Sequence, residues 1–136
     1  MAIFHLSVKT FSRAKAQSAV AAAAYRAGER LIDERVGEVK NYSPRGAVLR
    51  DAGRLILPVG APAWNREKVW NQAEAAENRK NSTVAREVEV SLPAELDRAA
   101  RVKLAHDFGQ WLSDEYHVAA DVQIHEPTPK AEDPRN

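Results

Sequence analysis

One segment of the chain constrains the fold more than any other, because its secondary structure is predicted at both ends. Ser18 is a residue type that caps the N-terminus of a helix, and Gly28 is the type that most often ends one. The residues between them are mostly alanine, which has the highest helix propensity. We therefore expect a short helix over residues 19–27 that ends at Gly28.

The remaining patterns alternate between strand and helix. Apolar and polar side chains alternate in the predicted strands, whereas the predicted helices carry apolar residues at helical spacing. Strands are expected at residues 3–8, 31–33, 39–42, 84–92 and 118–125, further helices at 66–80 and 93–115, and an extended segment at 47–57. A turn near Gly37 predicts a hairpin. This order predicts an α+β fold, in which helices cover a mainly antiparallel central sheet.

The composition is that of a soluble globular protein with one domain. The 136 residues are 44% hydrophobic and 29% charged, and they include no cysteine, which excludes disulfides and thiolate metal sites. No apolar run approaches the roughly 20 residues that a membrane-spanning helix needs. Residues 1–6 lack the cationic and apolar regions of a signal peptide. We therefore expect a cytoplasmic protein without a membrane partner.

Positive charge is concentrated in the first third of the chain. Residues 1–50 contain nine Lys and Arg against four Asp and Glu, although the formal charge of the whole chain is only +1. Such a cationic segment is typical of proteins that bind a phosphate backbone, but a solvated basic surface without a partner gives the same pattern. The candidate DNA-binding residues are Lys9, Arg13, Lys15, Arg26 and Arg30.

Tyr25 is a candidate nucleophile in the second half of the alanine-rich helix. Its small neighbours leave room for a bulky substrate to approach the phenol. Arg26 and Arg30 follow it, and a nearby cation favours the phenolate, which is the more nucleophilic form. The local pattern by itself favours a tyrosine half-buried against the sheet over a nucleophile.

Two histidines and two carboxylates are candidates for a metal site. His5 and His125 lie on predicted strands, and Glu87 and Glu89 share one face of another. Paired strands could bring these four groups together, and imidazole with carboxylate suits Mn²⁺, Mg²⁺ or Zn²⁺. No two histidines have the close spacing that marks a metal site unaided. The sequence contains neither a Ser-His-Asp arrangement nor a glycine-rich phosphate loop.

The opening of the chain resembles a known protein family. Residues 1–10 read MAIFHLSVKT and residues 17–28 read QSAVAAAAYRAG, a pattern similar to the MobA/MobL relaxases of mobilisable plasmids. It is also similar to the relaxase domain at the front of larger conjugation proteins that carry a helicase. Further matches lie at residues 57–64, 70–80, 85–96 and 121–125, so that the resemblance covers nearly the whole chain.

The resemblance implies a metal-dependent DNA relaxase of the HUH type with a ferredoxin-like core. Tyr25 would attack one phosphodiester of a single-stranded or hairpin origin of transfer and form a 5′-phosphotyrosine link. Three histidines would hold Mn²⁺ or Mg²⁺, and His125 matches the first of them. Glu87 and Glu89 match an acidic pair that orients a ligand or accepts the tyrosine proton, and His5 would support the site. Relaxosome accessory proteins and type IV secretion coupling proteins would be the protein partners.

The sequence departs from the family pattern after His125. In the family a His-x-His pair on another strand follows a polar loop, whereas residues 126–136 are such a loop without the pair. The resemblance thus implies a relaxase domain over residues 1–125 that lacks its last strand, followed by a flexible tail over residues 126–136. We expect such a chain to be weakly active or inactive. Two alternatives are a non-catalytic origin-binding module and a protein-interaction domain that uses exposed tryptophans.

Overall fold

The computed structural model describes residues 5–15 and 17–126, without the side chain of Arg13. Six strands, three helices and two short 3₁₀ turns, Arg13–Lys15 and Arg50–Ala52, form this part of the chain. The strands are β1 (Leu6–Ser12), β2 (Arg30–Asp33), β3 (Glu38–Asn41), β4 (Arg54–Ile56), β5 (Thr83–Val90) and β6 (Ala120–Val122). The helices are α1 (Ala19–Ala27), α2 (Arg66–Ala76) and α3 (Arg98–Tyr116). The expected α+β class is confirmed.

All strand pairs of the described residues are antiparallel, as expected. They form three two-stranded sheets: β1 with β5, β2 with β3, and β4 with β6. Strand β1 continues past the predicted end at residue 8, because its pairing with β5 extends from Leu6 opposite Val90 to Ser12 opposite Thr83. The hairpin of β2 and β3 forms around Gly37, whose positive φ of 71° suits the turn.

Helix α1 has the predicted bounds. The Ser18 hydroxyl accepts a hydrogen bond from the Ala21 N–H, and Gly28 ends the helix in the left-handed conformation at φ 63°. Val20, Ala23 and Ala24 of this helix are buried together with Leu31 of β2. This core lies beside the segment that carries Tyr25, so the helix is held against the hairpin.

Helix α3 begins later than predicted and buries a different face. Asp97 caps it by accepting a hydrogen bond from the Ala100 N–H. The buried residues are Gly109 and Ser113, and a Cβ built on Gly109 would lie 2.4 Å from Val122 Cγ2. The close approach to β6 therefore uses small residues, whereas the large side chains of the predicted apolar stripe stay exposed, namely Leu104, Phe108 and Trp111.

Helix α2 and strand β6 are shorter than their sequence patterns. Helix α2 ends at Ala76 because Glu77 takes an extended conformation. Strand β6 ends at Val122, although His125 forms one further bridge with Val48. The tail was predicted at residues 126–136, and all of it after Glu126 lies outside the described residues. Across the described ranges, no helix has both the length and the apolar character needed to cross a bilayer.

Candidate active site

Tyr25 occupies the last turn of α1 and is accessible to solvent. The residue is 43% exposed, so its side chain is partly covered by the protein and partly open to solvent. Its ring meets the ring of Tyr42 edge to face, with centroids 5.3 Å apart. The guanidinium carbon of Arg45 lies 3.8 Å from the Tyr25 ring centroid, which is a close cation–π contact. Two side chains thus hold the ring at the surface.

Arg45 connects Tyr25 to His125, and the sequence pattern did not single it out. Its Nη1 donates a hydrogen bond of 2.9 Å to the Tyr25 carbonyl oxygen and lies 3.5 Å from His125 Nε2. Membership of the cationic first third was the only sequence signal for this residue. Arg45 and Tyr25 are 20 positions apart in the sequence, so no local pattern could reveal the contact.

His125 lies beside the C-terminal end of α1. Its Nε2 is 2.8 Å from the carbonyl oxygen of Arg26. Main-chain hydrogen bonds hold the segment in place, from Leu49 N–H to the Ile124 oxygen and from Glu126 N–H to the Ala47 oxygen. The predicted ligand and the predicted nucleophile are therefore neighbours in space.

Glu87 forms an ion pair with Arg26 inside the same group of residues. The contact joins Arg26 Nε to Glu87 Oε2, and the Glu87 side chain is only 11% exposed. Burial lowers the pKa of Arg26 from its ordinary value; the charge of Glu89 and then Tyr25 oppose this, and the Arg45 cation adds to it. Arg26 is thus a half-buried cation that Glu87 balances.

His5 and Glu89 lie together, two positions along β5 from Glu87. His5 Nε2 is 3.5 Å from Glu89 Oε1, and both side chains are largely exposed. The four residues that were predicted to share one face, His5, Glu87, Glu89 and His125, therefore form two separate sets of contacts. Glu87 and His125 meet at Arg26, whereas no contact links His5 to them among the residues that the structure describes.

The predicted DNA-binding cations have different surroundings. Lys9, Lys15 and Arg30 are exposed, and Lys9 is in register with Glu87 on the neighbouring strand. Arg26 is paired with Glu87 and is only partly accessible. The side chain of Arg13 lies outside the described residues.

A three-ligand metal site does not form within residues 5–15 and 17–126. No group of three His, Asp or Glu side chains there could hold a metal ion. His125 contributes one imidazole, whose Nε2 already contacts the Arg26 carbonyl. His106 is engaged elsewhere, at 2.6 Å from the Ala52 carbonyl oxygen. The residues present therefore do not fit a complete metal centre.

A buried polar network anchors the strand that leads to His125. Arg66 donates two hydrogen bonds to the Asp121 carboxylate through Nε and Nη2, and Trp70 Nε1 donates a third. The same guanidinium contacts Glu29, directly after α1. Burial lowers the pKa of Arg66, but the hydrogen bond and charge of Asp121 and the charge of Glu29 outweigh it and raise the pKa overall.

Comparison with known proteins places these features in a family. Residues 17–135 match the model of the MobA/MobL family. The mobilization protein MobL of Acidithiobacillus ferridurans is 47% identical over 93% of this chain and 33% of its own length. The conjugal transfer protein TraA of Rhizobium radiobacter is 32% identical over 79% of this chain and 11% of its own.

A solved structure shares the fold as well as the sequence. It is described as "Molecular Basis of Vancomycin Resistance Transfer in Staphylococcus aureus", and it aligns with a TM-score of 0.84 and 37% identity over 92% of this chain and 63% of that one. The chain thus spans only about a third of the MobL relative and a smaller part of TraA. The resemblance inferred from the sequence motifs is confirmed: this chain belongs to the MobA/MobL family.

Proposed function

We propose that this chain carries the DNA strand-transfer chemistry of a plasmid mobilisation protein, with Tyr25 as the nucleophile. The observation that carries the proposal is the exposed Tyr25 phenol between Arg45 and the Arg26–Glu87 pair, beside His125. The relatives, a mobilization protein and a conjugal transfer protein, support a role in plasmid transfer.

The proposed reaction is a transesterification at one phosphodiester of the origin of transfer. The Tyr25 hydroxyl oxygen forms a bond to phosphorus while the bond from phosphorus to the 3′-oxygen breaks. The phenol proton passes to solvent or to a nearby carboxylate, and the leaving 3′-oxygen takes up a proton to become a 3′-hydroxyl. The product is a 5′-phosphotyrosine, and the reverse reaction rejoins the strand.

A divalent metal belongs to the proposal for a longer protein of this family. His125 would supply one ligand for Mn²⁺ or Mg²⁺, and the metal would polarise the scissile phosphate. Since the described residues supply no complete ligand set, we expect this chain alone to be weakly active or inactive. Relaxosome accessory proteins and secretion coupling proteins are the proposed partners.

The test uses this chain and a chimera in which the remaining part of the MobL relative follows it. Each protein is incubated with Mn²⁺ and a plasmid bearing the MobL origin, and covalent protein–DNA adducts are detected on denaturing gels. We expect an adduct with the chimera and its loss in Tyr25→Phe. The adduct should remain in Tyr42→Phe, which removes the neighbouring hydroxyl and keeps the ring contact. An adduct that survives Tyr25→Phe would contradict the proposal.

A second candidate is a DNA-binding module without catalysis. The exposed cations Lys9, Lys15 and Arg30 favour it, together with the single candidate ligand His125. Its signature is salt-sensitive binding of origin DNA with no adduct from either protein. A third candidate, an interaction domain, depends on exposed tryptophans, and Trp111 at 52% exposure fits that role, whereas Trp70 is partly buried and hydrogen-bonded to Asp121.

A further inference from the structure

We propose that Arg45 binds a backbone phosphate of the DNA strand next to Tyr25. The inference rests on the proposed function and names one positioning contact within it. The half-buried guanidinium of Arg45 lies against the Tyr25 ring and close to His125. Some of its N–H donors have no acceptor among the described residues, and no carboxylate there pairs with it.

Arg45 has hydrogen-bonding capacity that the protein leaves unused. A guanidinium has five N–H donors. The hydrogen bond to the Tyr25 carbonyl and the contact with His125 both involve Nη1. Within the described ranges, no hydrogen bond from Nε or Nη2 of Arg45 is formed, so the donors of one edge of the guanidinium remain available. A planar fork of donors matches the geometry of phosphate oxygens.

The charge of Arg45 is also left unbalanced. Two other arginines of this region have carboxylate partners: Arg26 pairs with Glu87, and Arg66 pairs with Asp121 and Glu29. Arg50 instead donates to main-chain oxygens. No ion pair to Arg45 is found in the part of the chain that the structure describes. The Arg45 and Arg26 cations are close enough for Arg45 to contribute to the lowered pKa of Arg26. Arg45 therefore keeps a positive charge that no ion pair among the described residues neutralises, which favours an anion.

The loop that carries Arg45 is held in place before any ligand binds. Arg50 Nη2 donates hydrogen bonds to the carbonyl oxygens of Ser43 and Arg45, and its Nε donates to the Gly28 oxygen at the end of α1. A Cβ on Gly28 would lie 2.5 Å from Arg50 Nη2, so glycine makes room for this contact. The main chain at Arg45 is therefore fixed relative to Tyr25, and binding needs little reorganisation.

The test measures binding of the 136-residue chain to a fluorescein-labelled oligothymidylate of roughly 20 nucleotides, a length sufficient for single-strand binding sites. The dissociation constant is measured as a function of salt concentration. The variants are Arg45→Gln and Arg45→Lys. Arg98→Gln is the matched control, because the Arg98 charge at the start of α3 is already paired with Asp51. Circular dichroism and thermal unfolding check that each variant folds.

We expect Arg45→Gln to bind roughly tenfold more weakly, since a hydrogen bond to a charged group is lost. The slope of log K against log salt should become shallower by about 0.7, the value for one phosphate contact on a single strand. Arg45→Lys should keep the slope at intermediate affinity, and Arg98→Gln should keep both the slope and the wild-type affinity. A merely structural role of Arg45 would weaken binding without changing the slope.

The outcomes separate this inference from the proposed function. If the wild-type chain binds with salt dependence and folded Arg45→Gln has the same slope, the inference is overturned and the proposed function stands. If the wild-type chain does not bind the oligonucleotide at any salt concentration, the inference is overturned too. If binding follows the expected pattern but the chimera forms no adduct, Arg45 is a phosphate contact of a non-catalytic module.

Discussion

At the scale of single residues, Glu87 and Glu89 show how neighbours on one strand face acquire different surroundings. The Glu87 side chain is 11% exposed and pairs with half-buried Arg26. The Glu89 side chain is 60% exposed and lies 3.5 Å from an exposed His5. Their spacing in the sequence makes them equivalent. In the fold, Glu87 forms the ion pair with Arg26 of α1, whereas Glu89 acts on Arg26 only through its charge. Glu87 is thus the carboxylate that supports the Tyr25 region.

The two carboxylates should differ in their contribution to stability. Glu87→Gln leaves Arg26 partly buried without its counter-charge, and we expect a loss of about 2 kcal/mol in the free energy of unfolding. Glu89→Gln changes an exposed contact, and the loss should stay within about 0.5 kcal/mol. Urea unfolding at neutral pH measures both. Equal losses would show that the Arg26–Glu87 pair is not structural.

At the scale of elements, the start of α1 is tied to the hairpin by a buried polar contact. The Ser18 hydroxyl accepts from the Ala21 N–H and donates a hydrogen bond of 2.7 Å to Asp33 Oδ2 at the end of β2. Asp33 is fully buried. The Glu74 carboxylate of α2 accepts from the Ala19 N–H nearby. The helix that carries Tyr25 is therefore fixed in position by two other elements at its first turn.

Loss of this cap should cost more than loss of an ordinary one. In Ser18→Ala, the helix loses its cap and Asp33 loses a donor, so we expect about 2 kcal/mol of destabilisation. Asp97→Ala removes the exposed cap of α3 as a matched control and should cost about 1 kcal/mol. Chemical denaturation of both variants provides the comparison. A Ser18 effect no larger than the Asp97 effect would indicate that the contact with Asp33 contributes nothing.

At the scale of the whole molecule, the β1–β5 pair presents an apolar surface to solvent. The register sets Leu6 opposite Val90 and Val8 opposite Val88, and all four are exposed, by 51%, 40%, 60% and 37%. A contiguous apolar patch of this kind favours association with another surface.

We expect the 136-residue chain to self-associate through this patch. Val8→Lys should raise the dissociation constant at least roughly fivefold, because a charge placed in an apolar contact costs more than about 1 kcal/mol. Val59→Lys is the matched control, since Val59 is 84% exposed in the loop between β4 and α2. Sedimentation velocity over a range of concentrations tests both. A wild-type monomer at every concentration would contradict this prediction.

The sequence by itself determined the features whose causes are local. Ser18, the alanine run and Gly28 set both ends of α1, because caps and helix propensity act within a few residues. The turn at Gly37 determined the hairpin for the same reason. Together with the strand alternation they indicated an antiparallel α+β fold, and the motif around Tyr25 indicated the family.

Only the tertiary structure decided which side chains meet at Tyr25. The 20 residues from Tyr25 to Arg45 and the 99 from Arg26 to His125 exceed the reach of any periodic pattern. The buried face of α3 was also decided by packing, because close approach to β6 requires Gly109 rather than the larger apolar residues of the stripe. Tyr25 could be singled out from the sequence, but the exposed ring, its guanidinium neighbour and the balance of charge around it follow from contacts between distant segments.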